Sequence, residues 1–60
     1  MKIHKSLHSN AMMLMLDDIT IYFTHFEKHP SGLNLLDGER LTGVLHFEMA
    51  TEFYKAWRAM

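Results

Sequence analysis

The chain has 60 residues and no cysteine, and its six Lys/Arg stand against seven Asp/Glu for a formal charge of -1. That length leaves room for one small domain or part of one. The absent cysteine removes disulfide stapling and thiol chemistry, and the near-neutral balance withholds the counterion release that drives phosphate-backbone binding. A hydrophobic fraction of 48% with 22% charged residues belongs to a globular chain rather than a disordered one.

Residues 1–10 (MKIHKSLHSN) hold Lys2 and Lys5 and end in turn formers. With no clear period, they read as a loosely ordered arm, and as the one basic stretch of the chain. No continuous apolar segment follows the two lysines, so no secretory signal is expected. The longest apolar run, Ala11 to Leu16, falls well short of the roughly 20 residues that cross a bilayer. The expectation is a cytoplasmic protein with no membrane contact.

Ala11 to Leu16 suits helix by propensity, but Asp17-Asp18 would then lie at the negative end of the helix dipole, so a short strand is preferred. Ile19 to Phe26 (ITIYFTHF) is the strongest strand signal, with β-branched and aromatic types at almost every position. Its alternation separates Ile19, Ile21, Phe23 and His25, the expected core face, from Thr20, Tyr22, Thr24 and Phe26. Asp17-Asp18 joins the two strands as a hairpin; a single bent strand is the alternative.

From Glu27 to Arg40 the turn signals Pro30-Ser31-Gly32 and Asp37-Gly38 bracket Leu33–Leu36, which reads as a loop carrying a hydrophobic pin. Leu41–Glu48 reads as a strand with Gly43 at a bulge or close approach, although a helix beginning here is the rival, since Leu45, Met49, Phe53, Ala56 and Met60 also fall near helical spacing. A helix follows from Thr51, with Thr51 as its cap, Glu52 in the first turn, Lys55 and Arg58 near the end, and a buried stripe of Phe53, Ala56, Trp57 and Met60. The expected fold is α+β: a small antiparallel sheet of two to three strands packed against one C-terminal amphipathic helix.

Catalysis is poorly served. Ser6, Ser9 and Ser31 lie outside any nucleophile elbow, and Gly32, Gly38 and Gly43 form no phosphate loop. Asp17-Asp18 sits on an exposed turn where nothing tunes it for acid-base work. A non-enzyme without a cofactor is expected. The five histidines are the compositional oddity. His4/His8 and His25/His29 have i,i+4 spacing, but four residues of strand span about 13 Å, too far for two ligands of one ion. His25 with His46 is a further cross-strand pairing, so His4, His8, His25 and His46 are the metal candidates. Met12, Met13 and Met15 beside the histidines suggest a soft site for Cu(I), against the commoner use of Met as core filler.

Lys2, Lys5, Lys28, Arg40, Lys55 and Arg58 do not cluster in sequence, which makes nucleic acid an alternative partner only, with Tyr54 and Trp57 as its stacking residues. The preferred function follows from surplus apolar surface. One helix covers one face of a small sheet, which leaves Met13, Tyr22, Phe26 and Val44 as a patch for another protein or a second copy of the chain. A small inhibitor or regulator of a larger host machine, of phage or mobile-element type, is the expectation by analogy. The alternatives are a small nucleic-acid-associated regulator and a His-dependent transition-metal binder.

Overall fold

A computed structural model describes all of residues 1–60. Strands β1 (Lys2–Lys5), β2 (Met12–Met15) and β3 (Thr20–Phe23) form one antiparallel sheet in the order β1-β2-β3. Strands β4 (His25–His29), β5 (Gly32–Asp37) and β6 (Arg40–His46) form a second in the order β4-β5-β6, and helix α1 (Phe47–Arg58) closes the chain. The class is α+β, with two three-stranded sheets in place of the single sheet expected.

The division into two sheets is made at Thr24. Its N–H donates to Leu36 O at 2.7 Å, its hydroxyl donates to the same carbonyl at 3.2 Å, and Gly38 N donates to Thr24 Oγ1 at 2.9 Å. Thr24 is thus fastened to the β5–β6 turn and not to β2. The run Ile19–Phe26 therefore breaks into β3 and β4, and the alternation restarts: Phe23 and Phe26 both point inward, while His25 is exposed.

The inward faces of both sheets share one core with the helix. Ile3, Leu14 and Phe23 come from the first sheet, Leu33, Leu35 and Leu45 from the second, and Ala50 and Phe53 from α1. Phe53 lies edge-on to Phe23 at 5.5 Å and to Phe26 at 5.1 Å, with Trp57 stacked on it at 6.0 Å. A Cβ at Gly43 would stand 3.1 Å from Ile21 Cδ1, so this residue's missing side chain sets how closely the sheets approach.

Several expectations are corrected by these placements. The N-terminal arm is strand β1, because its one apolar residue within the paired segment, Ile3, inserts into the core opposite Leu14. A single inward side chain leaves no period to read. The hydrophobic pin is β5, the central strand of the second sheet. Its Leu33 and Leu35 are fully buried, and the two flanking turns are hairpin connections rather than loop punctuation. The Asp17-Asp18 hairpin is present, closed by Leu16 N donating to Ile19 O at 2.9 Å.

The register shift in β5–β6 falls between Leu35 and Leu36, which pair with Gly43 and Leu41. Thr42 is thus the extra residue, and its hydroxyl donates to Leu35 O at 3.2 Å. Helix α1 begins at Phe47, four residues ahead of the expected start. His46 is its N-cap without a side-chain capping bond, and Thr51 donates back to Phe47 O at 3.3 Å instead of capping. Ala50 joins Phe53 in the buried stripe, whereas Trp57 and Met60 are exposed. Ile19 is exposed as well, since it lies in the turn before β3 rather than within the paired strand. No helix is long and apolar enough to cross a membrane.

Candidate docking groove

The first sheet packs on the second through β3, which contacts both β5 and β6, and β3 and β6 are each the outer strand of their own sheet. An open groove of about 340 Å³ runs between them, lined by Thr20, Ile21 and Tyr22 on one side and by Arg40, Leu41 and Thr42 on the other, with Asp37 at its end. Edge strands carry unpaired backbone N–H and C=O groups, so the groove offers hydrogen bonding along two sides as well as apolar contact. Of its lining residues Tyr22 is 46% and Leu41 54% exposed; Ile19, just before β3, and Val44, further along β6, are exposed as well. Asp37 and Arg40 are direct strand partners, which gives the rim one charge of each sign.

Of the four residues expected to form a binding patch, the structure places one, Tyr22, in this groove. Val44 lies further along β6 on the outward face, opposite Asn34. Met13 is the direct cross-strand partner of Tyr22 and is partly exposed on the outer face of the first sheet. Phe26 does not share that face. The break at Thr24 turns it inward, where its ring meets Phe53, Tyr54 and Trp57 at 5.1, 5.9 and 5.3 Å. Ile19 and Leu41 were not singled out from sequence. Their signal is position beside the turns at Asp17-Asp18 and Gly38-Glu39, where a large apolar residue has little to pack on.

The histidines are dispersed. His4 lies on β1 opposite Met13, and His8 in the connection to β2. His25 pairs with Leu36 and His46 with Gly32, at opposite ends of the second sheet, so the expected His25/His46 site does not form. The pair that does meet is His29 and His46, which flank Gly32 with ring centroids 6.0 Å apart. Ser31 N donates to His29 Nδ1 at 3.3 Å, and Ser31 Oγ lies 3.1 Å from the same nitrogen. That is a local turn fastening, with one nitrogen serving both groups. No cluster of three or more His, Asp or Glu is placed to hold a metal ion.

A second, shallower groove of about 300 Å³ lies beside this turn, between Pro30-Ser31 and the start of α1. Phe47 at its margin is 70% exposed and has φ 42°, a left-handed conformation where the chain passes from β6 straight into the helix. The cations are spread out: Lys28 Nζ lies over the Tyr54 ring at 5.6 Å, and Lys55 pairs with Glu52 at 3.8 Å.

No protein-family model, curated protein or solved structure matches this chain. The β3/β6 groove combines open apolar side chains, two free strand edges and a balanced pair of charges.

Proposed function

We propose that the protein is a non-catalytic protein-interaction module that docks through the β3/β6 groove, with a second copy of the chain as the partner the surface favours. The observation that carries the reading is that the exposed apolar residues Tyr22 and Leu41 line an open groove beside two free edges, with Ile19 just before β3 and Val44 further along β6 also exposed. A chain this small has little apolar surface to spare, and apolar groups gathered at an edge mark a contact site more often than scattered ones do. Two copies related by a two-fold axis would set edge against edge in antiparallel fashion and present the same patch to itself. Asp37 of one copy and Arg40 of the other then supply complementary charges at the rim.

Sedimentation across a range of concentrations tests this. The wild-type chain is expected to move from monomer to dimer, and Leu41→Lys to remain monomeric with its circular dichroism unchanged. A wild-type chain that stays monomeric at millimolar concentration overturns self-association, and docking to a different protein through the same groove then becomes the reading to test by cross-linking from Leu41.

A further inference from the structure

The outer face of the first sheet carries His4, Met13 and Met15, three side chains that do not line the docking groove. The register sets His4, Met13 and Tyr22 in one row across β1, β2 and β3, and Lys2, Met15 and Thr20 in the next. Ile3, Leu14 and Phe23 point to the core from the opposite face, so these six side chains point outward together. Met12 packs against the core, as methionine usually does. Met13 and Met15 do not share that use: Met13 is partly exposed and Met15 is 40% exposed. His4 is exposed too, and of the five histidines only His25 and His29 have ring nitrogens in hydrogen bonds.

Directly opposed residues of an antiparallel pair have Cβ atoms about 4.5–5.5 Å apart, and next-nearest residues of one strand on the same face about 7 Å apart. His4, Met13 and Met15 therefore form a triangle whose side chains can converge above β2, one imidazole nitrogen and two thioether sulfurs around one point. Thioethers are neutral, soft donors that prefer Cu(I) to Zn(II), Mg(II) or Ca(II), and imidazole accepts Cu(I) as well. The set lacks any carboxylate, and a neutral NS₂ environment suits a monovalent ion better than a divalent one. Lys2 stands across from Met15, and its long stem lets the ammonium turn away into solvent. Tyr22, next to Met13 in its row, places an aromatic side chain on the third side.

We propose that His4, Met13 and Met15 form a surface site for Cu(I), built on the register of β1 and β2. The site adjoins the docking groove through Tyr22, but its donors His4, Met13 and Met15 are not among the residues that line the groove.

The test uses the full chain labelled with 13C at its methionine methyl groups, titrated without oxygen first with Ag(I), a redox-inert probe, and then with Cu(I) kept reduced by ascorbate. The Met13 and Met15 methyl signals, assigned through Met13→Leu and Met15→Leu, are expected to shift and saturate at one equivalent together with the His4 ring, while Met12, Met49 and Met60 stay in place. His4→Ala and Met15→Leu are each expected to weaken binding by about tenfold or more. Zn(II) is expected to leave the methyl signals unmoved. Leu41→Lys, which breaks docking, is expected to leave the titration intact, so the two readings fail separately. Unmoved Met13 and Met15 signals, parallel drift of all six methionines without saturation, or unchanged affinity in Met15→Leu overturns the site. Should Met13→Leu fail to fold, Met15→Leu at its exposed position carries the same decision.

Discussion

Three positions show how single residues decide this fold. At Gly32 an added Cβ would collide with Leu45 O, a backbone atom that cannot rotate away. Gly32→Ala must separate β5 from β6 at the end that leads into the helix, and a loss of about 2–3 kcal/mol is expected in urea unfolding. Tyr54 presents the reverse case: its hydroxyl is buried with no hydrogen-bond partner, while its ring packs against Phe26 and Phe53. Tyr54→Phe keeps the packing and removes the unsatisfied group, so thermal unfolding should show a gain of about 1 kcal/mol. Phe47 sits at φ 42° with its side chain mostly in solvent. Phe47→Gly relieves the left-handed penalty at little cost in burial and is expected to stabilise by roughly 1 kcal/mol, whereas Phe47→Val, branched at Cβ, is expected to destabilise.

At the scale of elements, Thr24 separates what the sequence presents as continuous. Ile19–Phe26 has β propensity throughout, and no local preference distinguishes Thr24 from Thr20. Only the hydrogen bonds to Leu36 and Gly38, twelve and fourteen residues away, decide where one sheet ends. Thr24→Val keeps shape and β propensity but removes the hydroxyl. It is expected to cost about 1 kcal/mol, and to speed amide exchange at Gly38 more than at Leu14. The same dependence on distant partners explains which elements were legible. The Asp17-Asp18 hairpin, the 41–46 strand and the C-terminal helix declare themselves in local pattern and turn chemistry. β1 does not, because one inward residue makes no period, and β5 does not, because four residues between two turn signals resemble a loop until both neighbours pair with them. The early start of α1 was hidden by Gly43 and the β-branched residues before it, which belong to β6 while the helix follows with no connecting loop.

For the whole molecule, the expectation that one helix cannot cover all the apolar surface of the sheets took a different form from the single ribbon that prompted it. Two sheets folded over a common core, with α1 against them, turn Phe26 inward, yet they leave Ile19, Tyr22, Leu41 and Val44 exposed, Tyr22 and Leu41 in the groove between β3 and β6. The individual candidates Tyr22 and Val44 were readable because alternation places them opposite core residues. The meeting of Tyr22 with Leu41 across one groove was not, because it depends on β3 and β6 being outer strands of different sheets. Lysine at 19 or 41 enters an already solvated position and is expected to change stability by less than about 0.5 kcal/mol, so these variants separate docking from folding.

The most direct measurement is a dilution series followed by backbone amide NMR shifts. Docking of two copies through the groove predicts concentration-dependent shifts confined to residues 19–22 and 40–44, absent from Leu41→Lys. Shifts that are missing from these two edges, or that fall instead on the helix face around Met49 and Trp57, would contradict the groove as the contact surface.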